Sequence, residues 1–164
     1  MIALRYVYVL ALVTWLGGIV ILGALVAPTT FQLLQAADPA GGRALAGDLF
    51  GAFIARFHYI QYAAGVILIL ALFAMRILGP KPPAVAIRAG IVLLMLAIAV
   101  YSGFIVLARI DAVQLEMGAL ASTLPLTDPR RIRFDELHAF ATQLMMLNLA
   151  GGLALLYWEA RELR

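Results

Sequence analysis

The sequence predicts an all-α, polytopic integral membrane protein: one domain, residues 1–164, of four transmembrane helices in a bundle. Three observations carry that prediction. The chain is 65% hydrophobic and only 13% charged, with a mean hydropathy of +1.00. An ordinary soluble domain is about half apolar and a quarter charged, and so short a globule cannot bury this much apolar surface. The charges also divide the chain into four long uncharged runs, and proline and glycine punctuate the ends of those runs. Disorder needs the opposite composition and is excluded.

The first run, between Arg5 and Asp38, has 32 uncharged residues. That is far longer than the apolar core of a signal peptide, about 7–15 residues, and Pro28 follows the small-residue stretch Gly23–Ala27 where cleavage would fall. It is therefore read as a membrane helix near 5–34. Arg56 to Arg76 encloses 19 uncharged residues, Arg88 to Arg109 encloses 20 and Glu136 to Glu159 encloses 22. Each meets the requirement of about 20 apolar residues for a span, giving helices near 56–78, 85–109 and 134–159. Gly79-Pro80-Lys81-Pro82-Pro83 is a tight, proline-stopped turn between the second and third.

The two longer connections carry amphipathic helical extensions. Asp38-Pro39 and Asp128-Pro129 each read as an N-cap followed by proline at the first helical position. Leu45, Leu49, Phe53 and Phe57 recur every four residues and predict an amphipathic helix feeding the second span. Asp111 and Glu116 place a continuation of the third helix beyond the bilayer. The two halves have a faintly parallel look, too weak in residue identity to count as a repeat. Small residues at Gly23/Ala27, Ala99/Gly103 and Ala150/Ala154, with the pairs Gly17-Gly18 and Gly151-Gly152, allow close helix contact in lipid.

Orientation rests on little. Six Lys/Arg lie on the face with the termini and the Pro-rich turn, and six on the face with the long connections, so the positive-inside rule ties. Seven of the nine acids crowd the long-connection face, which tips the reading to N-in, C-in. With no cysteine there is no disulfide, thiolate metal site, iron–sulfur cluster or cysteine nucleophile. A net charge of +3, scattered along the chain, argues against nucleic acid as a partner.

Polar residues within membrane helices mark candidate sites, and here they collect at the long-connection face. Thr30 and Gln32 end the first helix, and His58, Gln61 and Tyr62 begin the second. Tyr101, Ser102 and Arg109 end the third, while Asp135, Glu136, His138, Thr142 and Gln143 begin the fourth. The other half of the bundle reads as nearly pure hydrocarbon, apart from Thr14 and Asn148 towards the middle.

Both histidines therefore fall at similar depth. Asp135, His138 and Thr142 share one helical face and, with Arg109, form a polar rim. His58 and His138 are candidate axial ligands for haem b. With Met145 or Met146 they are instead nitrogen and sulfur donors suited to copper. The plainer reading makes each histidine an interfacial residue bonded to Asp135 or a headgroup. Ser102 beside a histidine raises an intramembrane hydrolase, but Val100-Tyr101-Ser102-Gly103 lacks the first glycine of G-x-S-G. A bond from Ser102 back to its own helix is the expectation. Arg109, Arg130, Arg131 and Arg133 beside Asp111, Asp128, Asp135 and Glu136 make a charged collar, read as a salt-bridged rim or an anion site.

Trp15-x-Gly17-Gly18, Ala27-Pro28-x-x-Phe31 and the Gly-rich stretch ending Leu49-Phe50 resemble the bacterial family called domain of unknown function 4149, itself similar to transmembrane protein 205. That family's last helix opens Phe-x-x-Leu-His, matched by Phe134, Leu137 and His138; Ala141 and Met145 stand where the family has Ser and Asn. More distantly, the first helix resembles copper-resistance-D proteins and HemJ-type protoporphyrinogen oxidases, whose haem-ligand position falls here on Tyr8. The resemblance implies a four-helix protein of the bacterial inner membrane and no particular reaction. No complete catalytic set is present. The expected role is binding or accessory, as a subunit among other membrane proteins or a homo-oligomer in the lipid bilayer. A haem- or copper-handling protein and a small oligomeric transporter are the alternatives.

Overall fold

The computed structural model describes residues 2–78, 83–118 and 121–162. The proline-stopped turn read at 79–83 thus lies mostly outside the described residues. Four long helices account for almost everything else: α1 (Ile2–Ala37), α2 (Gly42–Leu78), α3 (Val85–Met117) and α4 (Pro129–Glu162). A 3₁₀ turn at Ala121–Thr123 lies between the last two, and no strand occurs among the described residues. Each helix is long and apolar enough to cross a membrane, so this is a multi-pass membrane protein. α1 and α3 each pack against α2 and α4, a square bundle in chain order.

At 1.5 Å per residue, helices of 33–37 residues are about 50 Å long, well beyond a hydrocarbon core of about 30 Å. The excess is at the long-connection end. The second span does not start near residue 56 but runs unbroken from Gly42, and the third runs on to Met117. The amphipathic extensions are thus the outer turns of the spanning helices themselves.

The two Asp-Pro signals behave differently. Asp128 caps α4 as expected: the Arg130 backbone N–H donates to Asp128 Oδ1 at 2.9 Å, and the helix begins at Pro129. Asp38 instead ends α1 in an extended conformation, and its Oδ1 accepts from the Ala40 N–H at 3.0 Å. α2 starts only at Gly42, which packs so closely on the Leu34 carbonyl that a Cβ would collide with it. The glycine contact, and not the proline, sets that boundary.

The inward face of α2 also differs from the expected stripe. Leu45 and Leu49 are exposed, while Gly42, Ala46 and Phe57 are buried. In lipid, small residues let backbones approach and large apolar ones face the acyl chains at no cost. On α4 the expected Ala150/Ala154 contact does not form: both face outward, and Leu144, Asn148, Gly152, Leu155 and Glu159 are buried. The expected Ala99/Gly103 contact does form. A Cβ at Gly103 would strike the Tyr62 hydroxyl and the His58 ring, as one at Gly18 would strike Phe57.

Two helices contain a wide, π-helical turn, Leu22–Val26 in α1 and Ser102–Val106 in α3. The Ala27 N–H reaches back to the Leu22 carbonyl and the Leu107 N–H to that of Ser102, five residues each. Pro28 explains the first. It has no N–H for the Ala24 carbonyl and its ring crowds that carbonyl, a conflict that a widened turn relieves.

The end away from the long connections is not pure hydrocarbon. Arg88 is 0% exposed and Glu159 4%, and the two form an ion pair. Arg5 Nε donates to Glu159 Oε2 at 2.8 Å and its Nη2 to the Glu159 carbonyl at 3.3 Å. The Arg88 guanidinium lies 5.0 Å over the Tyr8 ring. These charges bounded the uncharged runs as solvated flanks would, but the fold joins α1, α3 and α4 through them. Below this clamp, Leu12, Trp15, Leu68, Leu72, Val92, Met95 and Leu155 fill the core.

Candidate functional site

At the long-connection end the same four helices stand apart around a cavity of about 660 Å³, within the size range of small-molecule sites, about 300–1,000 Å³. Its depth can be read from position along each helix. Ile19, Gln61, Ser102 and Asn148 lie near the midpoints of their helices and form the floor. Phe31, Asp48, Asp111 and Phe134 are one to two turns from the helix ends and form the mouth. Between them the walls are apolar, with Leu22 from α1, Phe57 from α2, Leu107 from α3 and Met145 from α4. Both π-helical turns contribute wall residues, Leu22 and Gly23 on one side and Ser102 on the other.

The floor is polar, neutral and buried. His58, Gln61, Ser102 and Asn148 are each no more than 9% exposed. His58 Nδ1 lies 2.8 Å from the Ile54 carbonyl. A carbonyl only accepts, so the ring proton is on Nδ1 and Nε2 keeps its lone pair. Asn148 is 3% exposed, and its Oδ1 has no hydrogen-bond partner in the protein. Buried polar atoms are nearly always paired, which makes this oxygen the most unusual atom of the site. The ring of Tyr62, stacked on Phe104 at 5.7 Å, braces His58 from behind, and its hydroxyl is 3.5 Å from the Ala99 carbonyl.

Of the residues singled out from the sequence, His58, His138, Thr142 and Met145 all line the cavity. The two histidines are not at the similar depth expected: His138 is on the wall towards the mouth, exposed, with its ring stacked on Phe134 at 6.1 Å. Thr142 Oγ1 donates to the His138 carbonyl at 3.0 Å. Met146 is half exposed and outside the lining, as are Arg109 and Asp135. Asp135 instead reaches Arg131 at 3.8 Å, and Arg130 pairs with Asp128 at 2.9 Å. Arg131 Nη1 also donates to the Leu124 carbonyl at 2.5 Å. These two pairs, both at the start of α4, make up part of the expected collar, whereas Asp111 lines the cavity. The Arg130 side chain bonded to Asp128 holds that carboxyl below the usual carboxylate range.

Sequence reasoning missed the contribution of residues 47–54. Asp48, Phe50, Gly51 and Ile54 line the mouth, and Phe50 meets Phe31 edge-on at 6.5 Å. The signal was present as a helical face: Gly47, Phe50, Gly51, Ile54, His58 and Gln61 follow three- and four-residue steps. The more conspicuous leucines hid it.

The model of the family described as domain of unknown function (DUF4149) matches residues 10–119. That segment spans α1 to α3 and so three of the four cavity walls, with His58, Gln61 and Ser102; the α4 wall lies beyond it. No match was found among curated proteins or among solved structures. With the match covering well over half of its length, the chain belongs to the DUF4149 family, here a bundle of four membrane-spanning helices.

Proposed function

We propose that this protein is a membrane-embedded binding protein that holds one apolar small molecule between its four helices. The observation that carries the reading is the cavity itself. It is ligand-sized, lined by every helix, mostly apolar and closed at its floor by a few polar groups, the general anatomy of a small-molecule site. Its dead end favours binding over conduction, because Trp15, Leu68, Met95 and the Arg88–Glu159 clamp pack the remaining half. Naphthalene tests the reading. Saturable uptake by the protein in lipid nanodiscs, above the level of empty nanodiscs, is the expected outcome. Ala141→Phe, which places a ring in the cavity from α4, abolishes it. Uptake no greater than that of lipid alone would sink the proposal.

A second reading rests on the proton position of His58. A ring that donates through Nδ1 to a backbone carbonyl presents Nε2 as metal-ligating histidines do. His138 and Met145 line the same cavity. On this reading the ligand is haem b or copper. Gently purified protein then shows a Soret band or stoichiometric copper, lost in His58→Ala. A colourless, copper-free preparation would exclude it.

A further inference from the structure

We infer that the cavity's ligand is an uncharged aromatic compound carrying a hydroxyl group, of the phenol or hydroquinone class, seated with that hydroxyl on the Asn148 floor. The inference rests on the binding reading above and adds the chemistry of the occupant. The polar lining holds two acceptors. Asn148 Oδ1 is buried with no partner in the protein, and His58 Nε2 keeps a lone pair because Nδ1 holds the ring proton for the Ile54 carbonyl. The buried oxygen without a partner calls for a donor on the ligand.

Charge narrows the class. The floor is buried among the spanning helices and has no acid or base beyond the neutral imidazole, so an ammonium there would lack a counter-charge. The mouth holds Asp48 and Asp111, which repel phosphate and carboxylate groups on entry. A neutral donor remains, and a hydroxyl is its simplest form. Phe57, on the wall about one turn above the floor, matches a ring better than a flexible chain, and Phe31, Phe50 and Phe134 line the way in at the mouth. Asn148 itself supports a ligand role, since a leucine of similar size would leave no unpaired oxygen in the hydrocarbon.

The experiment compares 2-naphthol, 2-methoxynaphthalene and 1-decanol in nanodiscs, each corrected for uptake by empty nanodiscs. Wild type should bind 2-naphthol about tenfold more tightly than its methyl ether, the effect of one hydrogen bond to an otherwise unpaired buried acceptor. Asn148→Leu should erase that preference. Decanol, a hydroxyl without a ring, should bind more weakly than 2-naphthol. Equal binding of naphthol and its ether, or a preference that survives Asn148→Leu, overturns the hydroxyl assignment and leaves the binding reading standing. Equal binding of decanol overturns the aromatic assignment. Saturable binding of none of them, with naphthalene also excluded, removes the binding reading and this inference together.

Discussion

The guanidinium of Arg88 has no exposed surface, and the carboxylate of Glu159 holds it against the Tyr8 ring. Deleting one member of such a pair costs far more than the pair contributes, because a charge stays behind in the low-dielectric interior. Glu159→Leu should therefore lower stability by about 3–5 kcal/mol in thermal unfolding followed by circular dichroism. Arg88→Met in the same chain should restore most of the loss, with Arg5 turning its partly exposed side chain to the interface. No recovery in the double variant would mean that the pair is needed for the fold in itself. Asn148 predicts the opposite sign. Asn148→Leu should raise the melting temperature of the empty protein by removing an unpaired buried oxygen, and a clear loss would show that the amide makes a structural bond. Neither role is legible from composition. Arg88 and Glu159 each bound an uncharged run in the way an interfacial charge would, and only the packing of α1, α3 and α4 shows that they meet.

Element by element, the spans were legible because charge is so costly in lipid that its positions count the helices. Their rotation was not. Leu45 and Leu49 advertise an apolar face that turns outward, while Gly42 and Ala46 mark the inner one. A soluble-protein habit, large apolar residues inward, gives the wrong face here because lipid solvates leucine as well as a core does. The π-helical turn of α3 gives the sharpest test. Gly103→Ala sets a methyl against the Tyr62 hydroxyl and the His58 ring and should cost about 1–3 kcal/mol. Adding Tyr62→Phe removes the nearest obstacle and should recover part of it; a neutral Gly103→Ala would mean that α2 and α3 part freely. At the other end of the cavity, the Asp128 cap should resist acid. Its carboxyl is held below the ordinary range by Arg130, so the cap's contribution is present above the unfolded carboxyl's titration and is lost only as pH falls through the lower folded value. Amide hydrogen exchange at Arg130 should stay slow through the pH at which free aspartate protonates, and Asp128→Asn should remove the pH dependence. Early loss of protection in the native chain would contradict the Arg130 pairing.

For the molecule as a whole, four spans put both termini on one side and both long connections on the other. The chain has no cysteine, so single-cysteine variants report without background. Cysteines at Arg43 and Arg130 should react with an impermeant thiol reagent from one side of sealed vesicles, and one at Arg161 only from the other. Shared reactivity of all three positions would break the four-span topology. At this scale the sequence was most readable, since the crowding of polar residues at one end already located the cavity. The depth of the cavity was not readable, because it depends on where the helices separate, and small inward residues and two widened turns decide that.

The clamp and the cavity together give the bundle the mechanics of tongs. The charged end is the pivot, and the part of each helix beyond the cavity floor is an arm. The π-helical turns of α1 and α3 put a pliant joint in two opposite arms at the level of the floor. On the proposed binding reading, opening requires those arms to flex and leaves the pivot untouched, so residence time and thermal endurance would be set at opposite ends. On that reading, a variant that tightens the pivot should let the protein survive greater heat without holding a guest any longer.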